Sequence, residues 1–155
     1  MMLQVGTPAP DFTLKDQNNQ EVRLSSYLGS SSVLLVFYPL AFSGTCSGEM
    51  AALEKALPAF AAAGVSVLTI SVDSSYAHKI WLERESWSLR MLADFWPHGG
   101  VASLYGVFNS VAGFADRGTF LIDRAGVIRW AEHVGPGSSR DTAAWLAAVT
   151  SLDDS

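Results

Sequence analysis

The chain has one cysteine among its 155 residues, Cys46. That scarcity excludes an intramolecular disulfide and any Cys-x-x-Cys exchange pair. Positive charge is also in short supply. Ten Lys and Arg stand against 15 Asp and Glu, giving a net charge of -5 and a pI near 5.0. No basic run is clustered enough to bind nucleic acid. No apolar run approaches the ~20 residues of a membrane span, and MMLQVGTPAPDF has neither the basic leader nor the apolar core of a signal peptide. His78, His98 and His133 lack paired-ligand spacing, so no metal site is expected and each reads as a surface or loop histidine. Repeats, low-complexity tracts and linkers are missing too. Together these absences predict a soluble, unprocessed protein of a reducing cytoplasm, a single domain over residues 1–155, with small molecules or proteins as partners.

What the chain does have is apolar bulk, 49% of its residues, in segments of contrasting period. Phe12 and Leu14, then Val22 and Leu24, alternate with polar residues around the turn former DQNNQ, predicting an N-terminal β-hairpin. VLLVFY, Val33 to Tyr38, is continuously apolar, as a central strand covered on both faces would be. From about Thr45, Met50, Leu53, Leu57 and Phe60 recur at helical spacing; Pro58 should kink that helix or begin a separate turn, and Gly64 ends it. Val65 to Val72 reads as a second buried strand, and Ser74 caps a helix through Ile80 and Trp81. FWPHGG, Phe95 to Gly100, is a loop before a short helix at Val101 to Tyr105. GTFLID and VIRWAEHV flank the turn DRAG as an antiparallel hairpin. Ser138 to Leu152 closes the chain as a helix, with Ser138 and Asp141 in capping-box-like spacing. This order implies an α/β fold, a three-layer α/β/α sandwich on a mixed central sheet.

Free cysteines are usually small buried hydrophobes. Cys46, however, has Ser43, Gly44, Thr45, Ser47 and Gly48 for company and sits where a loop enters a helix. A thiol at a helix N-terminus faces unpaired N–H groups and the positive end of the dipole, and both favour the thiolate. Complete ionisation of an ordinary thiol gains only about 2 kcal/mol at pH 7. Donors aimed at developing negative charge contribute roughly 3–4 kcal/mol each, so an efficient site also needs those. The candidates are the Ser43 hydroxyl, the N–H groups of Thr45 and Cys46, and a distant arginine.

Pro39, Ser43 and Cys46 form P-x-x-x-S-x-x-C, which resembles the peroxidatic motif P-x-x-x-[ST]-x-x-C of the peroxiredoxins. VGTPAPDFTLKDQNNQ, PLAFSGTCSGE, DFWPHGGVASLYGVF and RGTFLIDRAGVIR, in that order, extend the likeness over most of the chain. The likeness includes the one-cysteine, alkyl hydroperoxide reductase E type of actinobacteria. The resemblance implies a thioredoxin-like fold, no cofactor, and an antioxidant thiol peroxidase acting on hydrogen peroxide, organic hydroperoxides and peroxynitrite. It makes Cys46 the peroxidatic thiolate that becomes a sulfenic acid. Ser43 would hydrogen-bond thiolate and peroxide, Pro39 would shield the thiolate from water, and Arg117 would hold the thiolate and the departing oxygen. Glu49 would help position that arginine, or else act only as a first-turn acid favourable to the dipole. Ser47 replaces the proline common in the family, a ring that the mechanism does not use. With no second thiol, an external reductant must resolve the sulfenic acid, either a mycothiol and mycoredoxin-type system or a thioredoxin. Relatives of this kind pair their subunits through loops near the cysteine, so a homodimer or higher homo-oligomer is expected.

Two rivals remain. G-x-C-x-G, Gly44 to Gly48, fits a cysteine hydrolase elbow with Asp123 and His133 as downstream partners, although Pro39 to Thr45 separate the cysteine from its strand. A thioredoxin-fold binding module without catalysis is the other. Phe95, Trp96 and Phe108 read as core, with part of the cluster available to a dimer contact, while Phe37, Phe42 and Trp81 suggest a pocket tolerant of bulky substrates.

Overall fold

The computed structural model describes residues 2–135, 138 and 140–153. Its N-terminal half runs β1 (Thr13–Lys15), β2 (Glu21–Arg23), a 3-10 turn (Leu24–Tyr27), β3 (Ser32–Phe37), α1 (Gly44–Ala62), β4 (Val65–Ser71) and α2 (Ser75–Glu85). There follow β5 (Arg90–Ala93), α3 (Gly100–Leu104), β6 (Phe108–Asn109), β7 (Phe114–Ala115), β8 (Arg117–Ile122), β9 (Ile128–Val134) and α4 (Thr142–Asp153). Among the described residues a mixed sheet runs β2-β1-β5-β4-β3-β8-β9, with β3, β4 and β5 parallel and the outer pairings antiparallel.

Every residue of β3 is buried, and its side chains alternate between two cores because a strand turns successive residues to opposite faces. Leu34, Val36 and Tyr38 pack with Met50, Leu53 and Phe60 of α1, Trp81 of α2 and Trp145 of α4. Val33, Leu35 and Phe37 pack with Phe12, Leu14 and Val22 of the hairpin and with Ala102 and Tyr105 at α3. The expected three-layer sandwich is therefore present. Its second outer layer is a short helix with the N-terminal segment rather than a rank of long helices.

The two hairpins and the Ser74 cap form as the sequence predicts, the Ser74 hydroxyl accepting the Ala77 N–H. Three boundaries differ. α1 continues through Pro58, giving up one bond to the Glu54 carbonyl, because Phe60 beyond it is fully buried. β4 ends at Ser71 rather than Val72. α4 starts at Thr142, not Ser138: the Asp141 carboxylate accepts the Ala143 N–H, whereas Ser138 N–H closes a turn on the Gly135 carbonyl. Ser139, within the predicted helix, lies outside the described residues. β5 went unpredicted, four residues whose ladder is completed by β4 and β1.

Parallel β3, β4 and β5 end at the same edge of the sheet. Their carboxyl ends release the Pro39 loop, the Asp73–Ser74 turn and the Phe95 loop side by side, the place where open α/β sheets bind ligands.

Candidate active site

The chain leaves β3 at Phe37 and turns through Pro39 to Ser43 before α1 begins. Ser43 is the N-cap residue, and the first intrahelical bond runs from Ser47 N–H to the Ser43 carbonyl at 2.8 Å. The N–H groups of Gly44, Thr45 and Cys46 therefore precede the helix ladder and gather round the first turn. Cys46 lies in that turn, pointing inward, with no exposed surface. It joins the apolar cluster of Val36, Tyr38 and Met50, so the expectation drawn from its small polar neighbours holds for the backbone around it and not for its side chain.

At the first turn of α1, which carries Cys46, is a cavity of about 230 Å³ lined by Pro39, Leu40, Ser43, Gly44, Thr45, Phe114 and Arg117, with Cys46 itself behind the lining. Four residues singled out from the sequence meet here: Pro39, Ser43 and Thr45 from one loop and helix start, Arg117 from the far end of the chain. Arg117 arrives by register. β8 lies antiparallel to β3 with Thr119 opposite Val36, which carries Arg117 past the end of β3 to the level of the loop. The next residue must be small, since a Cβ at Gly118 would stand 2.7 Å from Val107.

The Ser43 hydroxyl donates to the Leu40 carbonyl at 2.9 Å. Its one proton is thereby engaged within the loop, and the lone pairs of its oxygen remain to accept. This differs from the expected bond to the thiolate, which would require the hydroxyl to rotate. The pocket wall also differs from expectation. Phe37 and Trp81 are fully buried in opposite cores, Phe42 is 47% exposed, and the aromatic ring that lines the cavity is Phe114.

Glu49, one turn beyond Cys46, anchors the charged side of the site. Its Oε1 accepts Arg117 Nη1 at 2.5 Å, and the side chains are 3% and 2% exposed. A second arginine, Arg140, closes on the same carboxylate: its backbone N–H and Nε donate to Oε2 at 2.7 and 3.0 Å, and Nη2 to Oε1 at 2.9 Å. Arg140 Nη1 donates to the Gly118 carbonyl and to Thr119 Oγ1, tying the cluster to the strand that carries Arg117. Its guanidinium lies 5.4 Å from the Trp145 ring. The sequence reading missed Arg140, which follows GPGSS and looks like a solvated cation. Burial of Tyr38, which lies close to Cys46 and Asp73, drives its phenol well above the ordinary range, so it stays protonated.

The histidines correct the prediction in one case. His78 is fully buried, with Nε2 at 2.7 Å from Ser71 Oγ, because α2 turns this face onto the sheet. His98 meets the Gly113 carbonyl, and His133 pairs with Asp116 at 2.9 Å. Asp123 instead serves its own turn, accepting Ala125 and Val127 N–H. His133 is opposite Gly118 and Asp123 follows Ile122 at the other end of the hairpin, so the Asp–His pair required by a hydrolase does not form. Phe95 and Trp96 are 55% and 81% exposed, not core, whereas Phe108 is half-buried against His98.

Residues 5–131 match the AhpC/TSA family. Alkyl hydroperoxide reductase E of Mycobacterium tuberculosis is 51% identical over 151 residues, spanning 97% of this chain and 99% of that protein. Its Mycobacterium bovis counterpart shows the same identity and coverage. Among solved structures, the reduced 2-Cys peroxiredoxin of Plasmodium vivax superposes with a TM-score of 0.88 at 29% identity, covering 97% of this chain and 82% of that one. The peroxidoxin BcpB of Mycobacterium tuberculosis gives a TM-score of 0.86 at 28% identity, covering 98% and 99%.

Proposed function

The chain belongs to the AhpC/TSA family of peroxiredoxins, and on that premise we propose how its site reduces a peroxide. It is a thiol-dependent peroxidase of the one-cysteine kind. The observation that carries the reading is the meeting of Pro39, Ser43, Thr45 and Arg117 around one cavity at the helix turn that carries Cys46. The Cys46 thiolate attacks the terminal oxygen of a hydroperoxide; an S–O bond forms, the O–O bond breaks, and the departing alkoxide or hydroxide takes a proton from solvent to leave as an alcohol or as water. Sulfur is oxidised to the sulfenic acid as the peroxide is reduced.

Negative charge moves from sulfur to the leaving oxygen during that displacement. Arg117, held by Glu49 and Arg140, offers a fixed guanidinium that can face both atoms in turn. The N–H groups of Thr45 and Cys46 add donors on the sulfur side. Ser43 Oγ, its proton given to Leu40, accepts the O–H of the peroxide and orients it. Pro39 closes the cavity wall and excludes water. The substrates suited to a cavity of about 230 Å³ are hydrogen peroxide, small organic hydroperoxides and peroxynitrite.

A thiol from outside attacks the sulfenic sulfur and releases water as a mixed disulfide forms; a second thiol then restores Cys46. We assign that role to a mycothiol and mycoredoxin-type system or a thioredoxin, in a reducing cytoplasm. Among the described residues no helix is long and apolar enough to cross a membrane. We infer a homodimer or higher homo-oligomer, supported by the exposed rings of Phe42, Tyr76, Phe95 and Trp96 at the strand ends beside the site. Sedimentation checks it: a monomer at micromolar concentration would refute the pairing.

Reduced protein mixed with one equivalent of hydroperoxide tests the chemistry, followed by intact mass and tryptophan fluorescence. One oxygen should add rapidly at Cys46 and be removed by thiol, with Cys46→Ser inert. Arg117→Ala should slow the reaction by roughly 10²–10³ while remaining folded. Oxidation no faster than that of a free thiol would overturn the reading.

A further inference from the structure

Asp73 has no part in the chemistry described above, yet it ties the active-site loop to a buried polar cluster. Its Oδ2 accepts the Ala41 N–H at 2.8 Å and the Ser71 hydroxyl at 2.7 Å, and the same hydroxyl is 2.7 Å from His78 Nε2. The single proton on Ser71 cannot serve both neighbours. Given to His78, it would leave the Ser71 and Asp73 oxygens in close contact with no hydrogen between them. It therefore goes to the carboxylate, and His78 Nε2–H donates to Ser71 Oγ. Nδ1 of His78 is then a bare acceptor, which agrees with its lack of a partner among the described residues in a fully buried ring. Protonating that nitrogen would bury an unsatisfied donor, and burial pushes the imidazole down to about 4 although Asp73 opposes the shift. His78 is thus a fixed neutral donor that braces Ser71, and Ser71 braces Asp73.

The loop held by this brace is under strain. Phe42 has φ +67°, a region that bulky residues rarely occupy. Its ring packs at a tilt against Trp81, centroids 5.7 Å apart, and the Arg84 guanidinium lies 5.7 Å from the Phe42 ring centroid. The backbone is gripped at Ala41 and the side chain at Phe42, midway between Pro39 and Ser43. Because Cys46 has no exposed surface, the position of this loop sets which reagents reach sulfur.

We propose that Asp73, braced by Ser71 and His78, is a positioning residue that clasps the strained Pro39–Ser43 loop over Cys46, so that the cavity orients small peroxides and refuses bulkier electrophiles. The inference rests on the peroxidase reading and acts through the Ala41 N–H, without contact to the peroxide.

The test compares wild type, Asp73→Ala and Asp73→Asn. An amide oxygen can still accept both the Ala41 N–H and the Ser71 hydroxyl; alanine can accept neither. Three quantities are read: oxidation by hydrogen peroxide, alkylation of Cys46 by iodoacetamide, and hydrogen exchange at the Ala41 amide. For Asp73→Ala, oxidation should slow about tenfold, alkylation should quicken about tenfold, and protection at Ala41 should disappear. Asp73→Asn should stay within about threefold of wild type in all three, as a rescue by the conservative variant. A merely structural loss would lower the melting temperature without driving the two reagents in opposite directions. Wild-type behaviour of both reagents in Asp73→Ala would overturn the clasp. So would an unprotected Ala41 amide in the wild-type protein, a result independent of whether the alanine variant folds. Wild-type protein that consumes no peroxide would overturn the peroxidase reading, while alkylation and exchange would still decide the clasp.

Discussion

Truncating Arg140 to alanine should cost both stability and rate, by amounts that its contacts set. The side chain is 0% exposed and makes four hydrogen bonds: Nε and Nη2 to Glu49, Nη1 to the Gly118 carbonyl and to Thr119 Oγ1. Removing one partner of a buried pair usually costs about 3–5 kcal/mol, chiefly by stranding the other charge. Glu49 would not be fully stranded, because Arg117 still donates to Oε1 and the Arg140 backbone N–H to Oε2. The lower end, about 3 kcal/mol, is therefore expected. For a domain of this size 1 kcal/mol shifts the melting temperature by about 2–4 °C, so thermal unfolding followed by circular dichroism should show a fall of about 6–12 °C. With one arm of its clamp gone, Glu49 can swing and Arg117 with it, and peroxide oxidation of Cys46 should slow about tenfold, equivalent to about 1.4 kcal/mol in the barrier. Arg140→Lys, which keeps the charge and loses the fork, should fall between. A variant Arg140→Ala that melts within about 2 °C of wild type and oxidises at the same rate would refute the reasoning, since a buried arginine with these contacts cannot then be holding anything.

Two further outcomes follow from other groups. Ser43→Ala removes the Leu40 anchor and the acceptor for the peroxide O–H, so stopped-flow oxidation should slow about fivefold while Ser43→Thr remains within about twofold; an alanine variant as fast as wild type would remove Ser43 from the mechanism. His78 has its folded pKa lowered from 6.5 to about 4, so its neutral burial contributes stability above pH 6.5 that is lost as pH falls toward 4, about 3 kcal/mol in full. Urea unfolding of wild type and His78→Asn across that window isolates the effect from other titrating groups, and parallel curves for the two would exclude it.

The loop and helix start around Cys46 were legible because their signals are local. Pro39, Ser43 and Cys46 are neighbours in sequence, and the change from small polar residues to apolar residues at helical spacing already puts the thiol where a loop enters a helix. What escaped notice depends on chain segments brought together by tertiary structure. Arg140 reaches Glu49 across 91 residues and Asp73 reaches Ala41 across 32, so neither has a local pattern to betray it. β5 is short, and RMLA shows no alternation; its identity as a strand comes from the neighbours that complete its hydrogen bonds. His78 looked like a surface residue because its helix carries Lys79, Glu83, Arg84 and Glu85, and only the packing of α2 on the sheet reveals which face is inside. Trp96 erred in the opposite direction, since aromatic content predicts burial and a loop at the sheet edge exposes it.

Burying Glu49, Arg117 and Arg140 together is hard to explain by stability. Taking charges out of water costs several kcal/mol per ion, and apolar side chains of similar volume are often as stable or more so in such places. On the proposed mechanism the same arrangement serves to move charge. A guanidinium in water must be oriented anew at each turnover, whereas one clamped by a buried carboxylate and braced through Gly118 and Thr119 keeps its direction while the charge passes from sulfur to oxygen. The glutamate sits on the helix that carries the thiol, and the arginine on the strand beside it. Their bond therefore fixes sulfur and guanidinium in one frame, which is the geometric condition an in-line displacement on a peroxide imposes.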